Sequence, residues 1–199
     1  MRQPVASDAQ LWARSISGDG AAFGALFDLH RDRVFRHAYR LVENRRDADD
    51  VTATAFLELW RRRADVRLVE ASVLPWLLVT ATNAARNVRR SAARYQRLLD
   101  SLPRTLAASD AESAFLAAHP LEQVDHRLAT ALRSLPAADM RLVSLVVLEG
   151  YPIAEAATVL GCSTSAAKTR LHRARTRLRA TLHAAPESTA RPTEEGSTA

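Results

Sequence analysis

The run EGYPIAEAATVLGCSTSAAKTRLHRARTRLRATL, residues 149–182, constrains the chain more than any other stretch, because its punctuation leaves room for two helices around a tight turn. Gly150 is a helix stop. Pro152, with its fixed φ and missing N–H, suits the first turn of a new helix. That helix runs from about Pro152 to Leu160. Gly161 can take the left-handed conformation that closes it, and Ser163 or Thr164 can accept hydrogen bonds from the exposed N–H groups of the next helix. There Ala167, Leu171, Ala174, Leu178 and Leu182 recur at alternating steps of four and three, which aligns them as one apolar stripe.

The remaining faces of this last helix are cationic. Lys168, Arg170, Arg173, Arg175, Arg177 and Arg179 lie between Thr164 and His183 with no acidic residue among them. A surface of one sign repels itself and favours a polyanion. Ser165, Lys168, Thr169, His172 and Arg173 project away from the stripe near the helix N-terminus, the end that a helix-turn-helix inserts into the major groove, so they are the candidates for reading bases. Arg170, Arg175, Arg177 and Arg179 lie to the side or further along and suit phosphates. A solvated basic face on a core helix is the plainer alternative. A membrane-surface helix is disfavoured, because no Trp or Phe lines the apolar side.

Helical periodicity dominates the rest of the 199 residues and strand alternation is nearly absent, so the expected class is all-α. A weak helix is expected over about 7–17, then a long one from about Ala21 to Asn44 with Phe23, Phe27, His30, Val34, Ala38 and Leu41 on one face. Asp47 can cap a third, to about Arg63, burying Ala48, Val51, Ala55, Phe56, Leu59 and Trp60. After a loop to about Ser72, a fourth runs from about Leu74 towards Leu99, with Pro75 tolerated in its first turn and Trp76 at its head. Residues 100–120, with two prolines and no clear period, read as a linker. The second domain then covers 121–183, with helices over about 121–134 and 137–149 before the helix-turn-helix. Residues 184–199, rich in Pro, Ser, Thr and Glu, read as a disordered tail.

Charge divides along the same lines. The chain carries 28 Lys+Arg against 22 Asp+Glu, a net +6, and its basic residues are nearly all arginine, whose planar fork suits phosphate and base edges. No acidic residue occurs between Ala71 and Leu99, while Arg86, Arg89, Arg90, Arg94 and Arg97 recur at helical spacing and make a second basic face. Two basic surfaces on two domains suit a long partner. Asp47, Asp49 and Asp50 instead crowd the start of the third helix, where the dipole favours negative charge. Capping explains them; docking of a basic partner is the alternative. One cysteine, Cys162, excludes an intramolecular disulfide, and the six histidines show neither HExxH nor close Cys/His pairing, so no metal or other cofactor is expected. Gly18, Gly20 and Gly24 do not follow a strand as a dinucleotide loop requires. With no apolar stretch of signal-peptide or bilayer length, the expected location is cytoplasmic and no stable membrane association is expected.

These residues also carry a resemblance. DADDVTATAFLELW, 47–60, resembles the region-two helix of bacterial sigma factors of the extracytoplasmic-function (ECF) group, and PWLLVTATNAARNVRR, 75–90, resembles the helix that follows it. LRSLPAADMRLVSLVVLEGYPIAEAATVLGCSTSAAKTRLHRARTRL, 132–178, is similar to the region-four domain. The resemblance implies a promoter-specificity subunit with core RNA polymerase and promoter DNA as partners. On this reading 1–99 is the region-two domain, binding core polymerase and the −10 element, and 121–183 is the region-four domain, binding the −35 element.

The roles implied are specific. Asp47, Asp49, Asp50, Thr54 and Leu57 would contact core polymerase. Asn83, Asn87 and the loop from about Ala64 to Ser72 are candidates for capturing a melted −10 base, with Arg86, Arg89 and Arg90 on the backbone. Ser165, Lys168, Thr169, Arg170, His172, Arg173 and Arg175 would meet the −35 element. Trp76 can equally be core or stacking platform. Many members of the group are held inactive by an anti-sigma factor, a further partner class. Departures from the family pattern occur at Ala53, Thr82, Asn87, Pro152 and Ser165-Ala166-Ala167, the last at the start of the recognition helix. The alternative function is a stand-alone helix-turn-helix regulator; an enzyme has little support.

Overall fold

The computed structural model describes residues 6–101, 131–132 and 134–183, and no β-strand occurs among them. The first three helices of the first bundle start where a polar side chain satisfies an exposed N–H group. Ser7 and Gln10 form a reciprocal capping box for α1, Asp8–Ile16. Asp19 accepts from Ala22 N at 3.0 Å to start α2, Gly20–Val42. The third helix, α3, spans Arg45–Arg61 and is capped by Asn44, which accepts from Asp47 N at 3.1 Å. Asp47 was expected to be the cap; it lies inside the first turn, because left-handed Glu43 (φ 57°) ends α2 and lets α3 begin two residues later. The fourth, α4, runs Leu74–Asp100 from Val73, with Pro75 in its first turn.

Leu26, Val34 and Leu41 of α2, Val51 and Leu59 of α3, and Leu77, Leu78 and Ala81 of α4 are all but fully buried and hold the bundle together. Nine residues are too few for an isolated helix, which needs roughly 12–15, so α1 owes its existence to packing. Trp12 is its anchor, 2% exposed. Ala22 and Leu26 occupy the α2 core face, whereas Phe23 and Phe27, expected there, are only half-buried and meet Phe56 edge to face.

In the second bundle α5, Ala137–Val143, continues into a π turn, Ser144–Leu148, closed by Glu149 N donating to Ser144 O at 3.1 Å. Gly150, at φ 76°, then reverses the chain, and Tyr151 N reaches back to Leu145 O at 3.0 Å. Next come α6, Ile153–Val159, and α7, Thr164–His183. Gly161 takes φ 64° in the turn between them while Cys162 N bonds Ala157 O, and Ser163 caps α7 by accepting from Ala166 N at 3.2 Å.

The two bundles touch. α4 packs against α5, the π turn and α6, and Leu135, Met140 and Leu145 belong to the same apolar cluster as the first bundle's core. Residues 131, 132 and 134 are helical, as expected for a helix ending near 134. The remainder of the helix expected over 121–134, the expected linker beyond Ser101 and the expected tail fall outside the described residues.

Candidate nucleic-acid interface

Ala167, Leu171 and Ala174 are at most 2% exposed and seat α7 on the second bundle. The stripe fades further along, with Leu178 half-buried and Leu182 exposed. Seating that side turns Ser165, Lys168, Thr169, Arg170, His172, Arg173 and Arg175 to solvent, as the periodicity predicted. Ser165, Thr169 and His172 stand opposite the buried stripe; Lys168 and Arg173 flank them. Arg177, expected to meet phosphate, instead donates to Asp139 Oδ2 at 2.9 Å and ties α7 to α5.

The five residues expected on α4 divide between two adjoining faces. Asn83 and Asn87 line a polar hollow between α3 and α4 with Thr54, Glu58, Arg62, Trp76, Thr80 and Ala84. None of the residues from Ala64 to Ser72 lines it. The loop is pinned elsewhere: Glu70 and Ala71 both have positive φ at the tip of a turn in which Val69 and Ser72 exchange backbone hydrogen bonds. Ser72 Oγ donates to Asp8 Oδ2 at 2.5 Å, which also takes a 2.7 Å contact from His30. Burial would raise the Asp8 pKa, but those two partners outweigh it and hold the carboxyl below its usual range.

Arg86, Arg89 and Arg90 sit on the neighbouring face, around a hollow shared with Ala93, Arg97 and, from the second bundle, Leu135 and Met140. Arg89 Nη1 donates to Leu41 O at 3.0 Å and so also ties α4 to the end of α2.

On α3, Asp47, Asp50, Thr54 and Leu57 form one stripe at helical spacing; Asp49, Asp50, Thr54 and Leu57 are exposed and Asp47 half-buried. Leu57, 49% exposed, borders an apolar groove with Gly20, Phe23, Phe27, Ala53, Phe56 and Trp60. The half-buried phenylalanines are thus its wall, which a sequence period alone reads as core. Thr54 also lines the polar hollow, so the stripe borders the polar hollow on one part and the apolar groove on another.

Two domain descriptions match the chain in this order: Sigma-70 region 2 over residues 26–95 and Sigma-70 region 4 over 125–178. The ECF RNA polymerase sigma factor SigM of Mycobacterium tuberculosis is 34% identical over 176 residues, 86% of this chain and 83% of that protein. This chain belongs to the ECF RNA polymerase sigma factors. The RNA polymerase sigma factor CarQ of Myxococcus xanthus is likewise 34% identical, over 82% of this chain and 92% of its own. Among solved structures, CnrH in complex with the cytosolic domain of CnrY superposes with a TM-score of 0.61 at 26% identity, covering 90% of this chain and 99% of that one. As an ECF sigma factor the protein binds core RNA polymerase and promoter DNA and directs promoter-specific initiation.

The sigma factor's most connected polar cluster escaped the sequence reading altogether. Glu149, at the end of the π turn, puts its carboxylate against α2 of the other bundle. Oε1 meets His37 Nδ1 at 2.9 Å and Arg40 Nη1 at 3.0 Å, and Oε2 meets Arg33 Nε at 3.1 Å. The carboxylate is 5% exposed and His37 not at all. Thr82 Oγ donates to Leu78 O and meets His37 Nε2 at 2.9 Å. Burial pushes the Glu149 pKa up, but the hydrogen bond and charge of His37, with Arg33 and Arg40, outweigh it and hold the group ionised. Burial also raises the neighbouring Tyr151 phenol, against the opposing charge of Arg33.

Proposed function

We propose that the sigma factor divides promoter recognition between α7 and α4. The N-terminal half of α7 enters the −35 major groove, with Ser165, Lys168, Thr169, His172 and Arg173 at base edges and Arg170 and Arg175 on phosphates. The observation that carries this is the exposure of a one-signed face opposite the buried Ala167, Leu171 and Ala174. Asn83 and Asn87, in a hollow backed by Trp76, offer amide groups and an aromatic wall to an unstacked −10 base, and Arg86, Arg89 and Arg90 hold the adjoining backbone.

Core polymerase docks on α3 through Asp47, Asp49, Asp50, Thr54 and Leu57, the apolar groove beside Leu57 adding buried area. CnrH was solved with the cytosolic domain of CnrY, which supports a second protein partner for this chain, an anti-sigma factor. The role is binding rather than catalysis, carried out in the cytoplasm. In support of that location, no helix among the described residues is long and apolar enough to cross a membrane.

The test is affinity measured separately for each partner. Lys168→Ala and Arg173→Ala should weaken binding of holoenzyme to −35 DNA with core-polymerase affinity retained, and Asp49→Ala with Asp50→Ala should do the reverse. Loss of core binding in the α7 variants would overturn the division.

A further inference from the structure

We infer that Arg33, His37 and Arg40 form an oxyanion site that Glu149 occupies when the domains are closed and a DNA backbone phosphate occupies when the second domain lifts away. The inference rests on the reading of α4 as a DNA-binding face.

The site is built, not incidental. Two guanidinium groups and a buried imidazole converge on one carboxylate from a single helix face, at residues i, i+4 and i+7. Thr82 holds the imidazole in place from α4. A carboxylate and a phosphate ask for the same donors at similar distances. The present occupant is part of the chain itself, so the site has shown its ligand class without any added ion.

Position selects phosphate over other anions. Thr82 lies one turn from Arg86 on α4, and Arg89 reaches the last turn of α2 through Leu41 O. The α2 site therefore extends the Arg86, Arg89, Arg90 and Arg97 face into one cationic track. Arg33 and Arg40 are 45% and 49% exposed even with Glu149 bound, so each has surface left to meet a backbone. While Glu149 is seated, the second bundle's Leu135 and Met140 stand beside Arg86, Arg89, Arg90 and Arg97 of α4. One carboxylate thus fills a place on the DNA track and keeps the track partly covered.

The test uses the full chain, a labelled 20-mer duplex of random sequence for fluorescence anisotropy, and small-angle scattering for domain separation. Glu149→Gln should raise the radius of gyration and tighten DNA binding about tenfold, the gain expected if one chain in ten is open in the parent. Arg33→Ala with Arg40→Ala should raise the radius of gyration as much with a smaller gain, because it uncovers the α4 arginines but removes the α2 site. Added to Glu149→Gln, this pair should reverse the gain and reduce the salt slope by about 1–2.

An unchanged radius of gyration for Glu149→Gln overturns the proposal. So does an equal gain in DNA affinity for the Glu149 and Arg33/Arg40 variants, which would leave a latch but no phosphate site. Tighter core-polymerase binding with unchanged DNA binding would make the ligand an acidic protein surface and also overturn it. Arg86→Ala with Arg90→Ala, in the Glu149→Gln background, separates the two readings. If that pair leaves DNA binding intact while Arg33 and Arg40 still matter, the α4 assignment fails and the oxyanion site stands.

Discussion

The two surfaces proposed to face DNA differ in availability. On α7 every residue assigned to the −35 element is exposed, and Arg177, which ties α7 to Asp139, is not one of them. On α4 Asn83, Arg86 and Arg89 are half-buried, Arg89 is partly engaged by α2, and the second bundle leans on the arginine side. On the proposed assignments, the chain presents its −35 helix freely while the arginine side of its −10 face is partly covered, so only the second would need the bundles to part.

The contrast breaks most completely if α7 loses its seat. Leu171→Ala removes a side chain that is 2% exposed between Ala167 and Ala174, at an expected cost of roughly 2–5 kcal/mol. Thermal or denaturant unfolding should show an early loss of the second bundle, and −35 binding should fall with it while the first bundle persists.

Uncoupling the bundles comes next. Glu149→Gln should lower the free energy holding them together by about 1–3 kcal/mol, since it removes charge-assisted hydrogen bonds whose arginine partners are half-exposed. Acid should act on the same contact. The Glu149 pKa is depressed in the closed chain, as is that of Asp8, so the stabilisation is present above the ordinary carboxylate pKa, about 4.3 for Glu, and is lost as pH falls through the lowered folded value. Besides Arg33, His37 and Arg40, the Tyr151 phenol faces this group and remains neutral throughout that window. Scattering from about pH 6 down to about pH 3 should show opening in the parent, with a flatter curve in Glu149→Gln. The opposite slope would remove Glu149 as the latch.

Sharper tests touch single contacts. Lys168→Ala or Arg173→Ala should cost about 1–3 kcal/mol against the correct −35 sequence if each contacts a base, read as a smaller ratio of specific to random duplex affinity. An equal loss on both duplexes would move that residue to the backbone. The smallest effect is expected from Ser163→Ala, which deletes the α7 cap and should cost about 1 kcal/mol, seen as a modest drop in the melting temperature of the second bundle.

How much of this was legible follows from the range of each interaction. The Gly161 turn, a cap at Ser163 or Thr164 and the first half of the α7 stripe are encoded within a few residues and were readable, while the stripe's end at Leu178 and Leu182 is less buried than its period implies. The start of α3 was misplaced because Asn44, Asp47 and their neighbours offer several competing caps, and the left-handed turn at Glu43 that decides between them has no glycine to announce it. Phe23 and Phe27 read as core because a period marks apolar residues without saying whether a neighbour covers them; α3 covers only their edges. Trp76 and Thr54 joined the hollow for the same reason, through α3 packing against α4. Glu149 and its partners on α2 lie 109 to 116 residues apart, and each taken alone reads as an ordinary surface charge or a stray histidine.

Run-off transcription with core RNA polymerase on genomic DNA from the same source, with and without the protein, tests the central claim most directly. The account predicts transcripts from discrete start sites that depend on the protein and that Lys168→Ala or Arg173→Ala diminishes while core-polymerase binding persists. No gain of promoter-specific initiation, together with tight binding of duplex sites by the protein alone, would contradict it and make the chain a stand-alone regulator.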